Sequence, residues 1–189
     1  MSTLSSHPPI VESPTAPAHW EGLWPNEAAT QAFATQLAHA LAQWPGGRDA
    51  RIELRGNLGA GKTTLVRHLL RAAGVTGRIK SPTYAVVEPH LAGSGDSAWP
   101  IWHFDFYRFN DPQEWEDAGF RDIFAGPGLK LMEWPDKVAG QLPSPDWVIA
   151  LEALDEDQRQ VRISAGTARG QQWLAGWCAA WTEGANHAP

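Results

Sequence analysis

The sequence predicts an α/β fold, and three observations support this. Arg51-Ile52-Glu53-Leu54-Arg55 alternates polar and apolar residues as a strand does. It runs straight into a glycine-rich segment, Gly56-Asn57-Leu58-Gly59-Ala60-Gly61-Lys62-Thr63, and a helical pattern begins at Lys62. Further strand-like runs follow, so strands and helices alternate along the chain.

Residues 1–19 are rich in Pro, Ser and Ala without apolar periodicity and are expected to form a flexible N-terminal tail. Pro25 and Asn26 mark a helix start, because an Asn side chain can accept a bond from a free amide of the first turn. Phe33, Leu37, Leu41 and Trp44 recur every three to four residues and predict a core-facing stripe that Pro45-Gly46-Gly47 ends. After the glycine-rich segment, Leu65, Val66, Leu69 and Leu70 point inward from a second helix ending near Gly74. Thr83 to Val87 and Ile101 to Phe106 are expected to pair as a hairpin, with Gly93, Gly95 and Asp96 between them. In the second of these runs, His103, Asp105 and Tyr107 share one face and Phe104 and Phe106 the other.

Leu129 to Glu133, Asp146 to Leu151 and Val161 to Ser164 supply more strands, and the sheet is expected to be mixed. A last helix from near Thr167 places Trp173, Trp177, Cys178 and Trp181 at helical spacing. The expected organisation is one P-loop domain over residues 20–182, with a short C-terminal tail over 183–189.

Composition narrows the function classes. Of 189 residues, 43% are hydrophobic and 19% charged, an ordinary globular balance. The single cysteine, Cys178, allows no internal disulfide and no cysteine cluster for zinc, and a cytoplasmic location is expected. No apolar run has the length of a membrane span, and the first residues lack a signal-peptide pattern. A formal charge of −6 disfavours unaided binding to RNA, whose affinity for proteins comes mainly from Lys and Arg against phosphates. The histidines show no paired metal-ligand spacing.

A Gly-x-x-x-x-Gly-Lys-Thr segment between a strand and a helix is a phosphate cradle. Its glycines let amides turn inward, the helix N-terminus adds partial positive charge, and Lys62 reaches the β- and γ-phosphates. The Thr63 hydroxyl is a ligand for Mg²⁺. Asn57, Leu58, Gly59, Ala60, Gly61, Lys62, Thr63 and Thr64 are therefore the candidate nucleotide-binding residues. ATP is expected over GTP, because no Asn/Thr-Lys-x-Asp element for reading guanine is present. The fold class expected from this context is a P-loop NTPase-like three-layer sandwich with a mixed parallel and antiparallel sheet.

Three further blocks, Lys80-Ser81-Pro82-Thr83-Tyr84, His103-Phe104-Asp105-Phe106-Tyr107-Arg108 and Glu133-Trp134-Pro135, stand in an order and spacing that resemble the TsaE (YjeE) family over roughly Leu23 to Ile163. That family supplies the ATPase needed for threonylcarbamoyladenosine (t6A) modification of tRNA in bacteria. The resemblance implies that Thr83 belongs to a switch-like loop near the γ-phosphate. It further implies that Asp105 sits beside Mg²⁺ and its water, that Glu133 is the second acidic residue, and that Glu27 lies near the adenine. Lys62, Asp105 and Glu133 then form the catalytic set, and Thr63, Asp105 and Glu133 the metal set. The partners implied are TsaD and TsaB homologues, with tRNA engaged only through that complex and no membrane involved.

Other readings of these residues remain open at this point: Asp105 as an N-cap or a partner of Arg108, Glu133 as a surface strand end, His103 as a structural histidine, and Trp134 as core packing. The chain departs from the family's usual pattern in a longer N-terminal tail, in Phe106 where Leu is usual, and in a tryptophan-rich C-terminus. Two other functions are weighed. A small-molecule phosphotransferase would need a second pocket and an arginine-rich lid, and Arg67, Arg71 and Arg121 do not suggest one. A nucleotide-gated binding module would use ATP only to order a partner surface.

Overall fold

The computed structural model describes residues 19–82, 84–109, 114–115 and 118–185. The chain starts with β1 (His19–Trp24), α1 (Glu27–Gln43), β2 (Arg51–Arg55) and α2 (Lys62–Ala72). It continues through β3 (Val87–Ala92), β4 (Trp99–Asp105), α3 (Phe120–Ala125) and β5 (Leu129–Glu133). It ends with β6 (Trp147–Ala153), β7 (Arg159–Ala165) and α4 (Ala168–Ala185). The strands form one seven-stranded sheet in the order β1-β7-β6-β2-β5-β4-β3. β2 runs parallel to both β5 and β6, and β4 parallel to β5. The pairs β1–β7, β6–β7 and β3–β4 are antiparallel, so the sheet is mixed as expected.

Helix α1 begins where the Asn26 side chain accepts the Ala29 amide at 3.1 Å, which satisfies one free donor of the first turn. Its Phe33, Leu37 and Leu41 are buried with Leu65, Leu69 and Leu70 of α2 and with Trp173, Leu174 and Trp177 of α4. These side chains cover one face of the sheet through Ile52, Leu54, Ile101, Leu131, Ile149 and Ile163. Trp44, only partly buried, stacks on Trp173 with ring centroids 5.2 Å apart. Cys178 packs at the edge of this core, and the Trp181 side chain lies outside the described residues. The opposite face is covered by a thinner layer, in which Phe104, Phe106 and Met132 meet Trp115, Phe120 and Phe124. Each fully buried side chain of this kind contributes about 1.5–3 kcal/mol of transfer free energy.

Three elements differ from the sequence expectation. The hairpin's first strand is Val87–Ala92, not Thr83–Val87. The Val86 amide bonds the Pro82 carbonyl at 2.6 Å and Val86 sits at φ 65°, so Tyr84 to Val86, just before the strand, lie in a turn. Pro89 is tolerated inside β3 because this strand lies at the sheet edge, where an amide is not needed for pairing. Strand β1 was not expected. It is a short edge strand held by its ladder to β7 and by Trp20 and Trp24 packing around Phe33, contacts that only the folded chain brings together. The short α3 was also missed, being six residues long and fixed by Phe120 and Phe124 in the second core. Among the described residues no helix is long and apolar enough to cross a membrane.

Candidate functional site

Sheet register assembles the site. Asp105 at the end of β4 lies opposite Glu133 at the end of β5, and Glu133 lies opposite Leu54 near the end of β2. The glycine-rich segment leaves β2 immediately afterwards and enters α2. Three adjacent parallel strands thus present their carboxyl ends, two of them carrying acidic residues, beside one helix N-terminus. Such a crevice is where open α/β sheets place ligands.

The loop's shape depends on glycine. At Gly56, φ is 140° and a Cβ would come within 2.3 Å of the Leu151 carbonyl oxygen, so β6 leaves no room for a side chain. Gly61 caps α2 in the left-handed region at φ 101°, and its carbonyl takes the first helical bond from the Leu65 amide at 2.9 Å. The Lys62 ammonium donates to the carbonyls of Gly56 at 2.7 Å and Asn57 at 2.9 Å. It also lies 4.0 Å from the centre of the Trp134 ring, a cation–π contact. Burial lowers the Lys62 pKa, while the Glu133 and Asp105 carboxylates oppose that shift.

Glu133 is only 2% exposed, which excludes a surface strand end. Its Oε2 accepts the Thr63 hydroxyl at 2.9 Å, and its Oε1 meets His103 Nε2 at 2.8 Å. Asp105 Oδ1 accepts the Tyr107 amide at 3.0 Å, turning the chain at the strand end rather than capping a helix. Ser81 Oγ approaches Asp105 Oδ2 at 3.5 Å. A cleft of about 330 Å³ joins Leu58, Gly59, Gly61, Lys62, Thr63 and Thr64 to Asp105 and Glu133.

A second cleft meets the first at Gly61 and Thr64 and is lined by Trp24, Glu27, Thr30, Ala60 and Arg159. Glu27 therefore borders the site, with its carboxylate held by His68 Nε2 at 2.9 Å. Asn57 lines neither cleft and contributes its carbonyl to Lys62. Leu58 is 77% exposed. Thr83 lies outside the described residues.

Among the described residues, no three His, Cys, Asp or Glu side chains form a ready metal cage. The oxygen donors that do converge, a hydroxyl and two carboxylates, are hard ligands of the kind Mg²⁺ takes together with phosphate oxygens and water. The chemistry of this set fits Mg²⁺ held jointly with a nucleotide.

Three side chains at the site lie outside the candidate set drawn from the sequence. Trp134 packs against the second core, in keeping with the packing reading, and also lines the cleft over Lys62 and touches Tyr107, with ring centroids 5.0 Å apart. His103 is buried and hydrogen-bonded, as a structural histidine is, and its partner is the candidate catalytic Glu133. Arg159 had no motif to mark it. Its Nε donates to the Ala60 carbonyl at 3.1 Å and its guanidinium gathers the carbonyls of Asp155, Glu156 and Gln158, tying the β6–β7 turn to the loop. Arg67, exposed on α2, also borders the cleft.

Residues 24–161 match the family model described as threonylcarbamoyl adenosine biosynthesis protein TsaE. The chain belongs to the TsaE family. It is 37% identical over 152 residues to the tRNA threonylcarbamoyladenosine biosynthesis protein TsaE of Haemophilus influenzae, covering 80% of this chain and 92% of that one. To the Bacillus subtilis protein of the same name it is 34% identical over 114 residues, or 60% of this chain and 68% of the relative. The crystal structure of Bacillus subtilis YdiB superposes with a TM-score of 0.65 at 24% identity, over 86% of this chain and 95% of that one, a likeness of fold. The family match takes in the glycine-rich loop, both acidic strand ends and Trp134.

Proposed function

We propose that this chain is a Mg²⁺-dependent ATPase of tRNA threonylcarbamoyladenosine biosynthesis, working in the cytoplasm with TsaD and TsaB homologues through a cycle of ATP binding and hydrolysis. The observation that carries the reading is the junction of Lys62, Thr63, Asp105 and Glu133 at one loop–helix N-terminus, in a chain of the TsaE family. The role in t6A synthesis rests on the family, and the nucleotide chemistry on the site.

In this reading the loop amides and the α2 N-terminus hold the phosphates, and Lys62 exchanges its bonds with the Gly56 and Asn57 carbonyls for phosphate oxygens. Bound Mg²⁺ supplies charge neutralisation of the β- and γ-phosphates. Thr63 donates its hydroxyl hydrogen bond to Glu133 and keeps its proton, which leaves the hydroxyl lone pairs free to face the cation. Asp105 and Glu133 bind and orient the water close to the γ-phosphate. The cleft that includes Glu27 and Trp24 takes the base. Phosphoryl transfer depends chiefly on positioning and charge, so partner docking that fixes this geometry would set the rate. The formal charge of −6 agrees with tRNA being handled by the partners rather than by this chain.

Complementation tests the pathway assignment. In a strain lacking this gene, the wild-type chain should restore t6A in bulk tRNA, measured by mass spectrometry, and Lys62→Ala should not. Full t6A in the deletion strain would overturn the assignment.

A further inference from the structure

His103 is wholly buried in β4, between its strand neighbours Glu88 of β3 and Leu131 of β5. It lies two residues before Asp105 on the same strand face, so it points toward α2 and the loop rather than into the second core. Its Nε2 lies 2.8 Å from Glu133 Oε1, and its Nδ1 is buried with no hydrogen-bond partner. Glu133's other oxygen is the one that Thr63 reaches. The two carboxylate oxygens therefore have separate attachments, one to a rigid sheet histidine and one to the loop helix.

We propose that His103 is a positioning residue for Glu133, its Nε2–H donating a hydrogen bond to Oε1. This extends the ATPase reading above and rests on it. An ionised carboxylate only accepts hydrogen bonds, so a bond at this distance requires the proton to be on Nε2. Nδ1 has no acceptor to which it could donate a proton. With Oε1 fixed, the carboxylate plane cannot rotate about its last torsion, and Oε2 stays aimed at Thr63 and the cleft. Backing of an acidic ligand by an imidazole N–H is the kind of outer contact whose loss costs about 10–100-fold in metal affinity or activity. The ladders to β3 and β5 hold the imidazole's own strand in place, so the aim is set by the sheet and not by the loop.

The test uses the full chain. In the nucleotide-free protein, long-range ¹H–¹⁵N spectra should show a proton on His103 Nε2; an imidazole protonated on Nδ1 alone would overturn the proposal. Turnover is then measured with the TsaD and TsaB homologues present, for wild type, His103→Leu, His103→Gln, His103→Asn, Glu133→Gln and the His103→Leu/Glu133→Gln double variant. His103→Leu should keep KM for ATP within about 3-fold and lose about 10–100-fold in kcat. Gln places an amide N–H near the Nε2 position and should recover most of the loss. Asn, whose amide falls near Nδ1, should not.

The double variant should turn over no more slowly than Glu133→Gln alone, because a residue acting through Glu133 has nothing left to position. Multiplying losses, or a His103→Leu variant with wild-type kcat, would refute the role of His103 while leaving the ATPase reading intact. Absence of turnover in the wild type would instead refute the ATPase reading. If His103→Leu does not fold, the Gln and Asn pair gives the same contrast.

Discussion

The Thr63 hydroxyl donates to the Glu133 carboxylate across 2.9 Å, although 70 positions separate the two residues in the chain. This bond joins the first turn of α2 to the end of β5, and it is made possible by β2 and β5 lying side by side with Leu54 opposite Glu133. The glycine-rich loop and an acidic strand end thereby meet in one cleft.

Lys62→Ala should abolish tight ATP binding, because it removes the point charge directed at the β- and γ-phosphates. The variant also loses the bonds that Lys62 makes to the Gly56 and Asn57 carbonyls, both of which can turn to water. Titration with a fluorescent ATP analogue, alongside a circular dichroism check of folding, measures this. Unchanged affinity in a folded variant would place the nucleotide elsewhere.

Much of this site was legible in the sequence, and the reason is local. The loop needs glycine where the backbone turns and a Lys-Thr pair where a helix begins, so eight consecutive residues reveal it. Asp105 and Glu133 were legible through the family's blocks, since each acidic residue ends a strand. Arg159 was not legible, because its partners are backbone carbonyls of the loop and of its own turn, which any sequence would supply. Trp134 and His103 do pack and are buried as the sequence suggests, but their contacts at the site were not legible. A tryptophan after a strand and a histidine within one look like core residues until the register shows that Lys62 and Glu133 are what they touch. The shift of the hairpin strand to Val87–Ala92 has a similar origin, since the turn closed by Pro82 and Val86 overrides the β-propensity of the preceding residues.

Gly56→Ala should destabilise the fold by about 1–3 kcal/mol or more, the cost of strain at a backbone conformation that side chains avoid. The new methyl group would also meet the Leu151 carbonyl of β6. Urea unfolding reads the change, and a variant as stable as wild type would mean the loop can relax away from β6.

Asp146→Asn should lower stability by about 2 kcal/mol at neutral pH, through loss of charged hydrogen bonds. Burial raises the Asp146 pKa, but bonds from Arg169 at 2.6 Å, Thr167 at 2.7 Å and the Arg51 amide at 3.0 Å outweigh it and bring the pKa below its ordinary value. A carboxyl depressed in the folded state stabilises above its unfolded pKa and loses that contribution as pH falls through the folded one. The gap in Tm between wild type and variant, about 4–8 °C at pH 7, should therefore narrow as pH falls below roughly 3.9. A gap that stays constant through this acid range would show that the lost stability comes from packing.

Asp105→Asn and Glu133→Gln should bind ATP yet hydrolyse it about 100-fold more slowly, in the range seen when one preorganised polar group is lost from an active site. Neutral amides keep the shape of the carboxylates but lose metal affinity and orientation of water. Filter binding and phosphate release on the same samples separate the two effects. Loss of binding in folded variants would reassign both residues to nucleotide affinity.

The most direct measurement is phosphate release from ATP by the purified chain, with Mg²⁺, in the presence and absence of its TsaD and TsaB homologues, with Glu133→Gln as the control. The account predicts slow release by the chain alone, marked stimulation by the partners, and loss of the stimulated rate in the variant. Release that is fast and identical with and without the partners, or equal in wild type and Glu133→Gln, would contradict it.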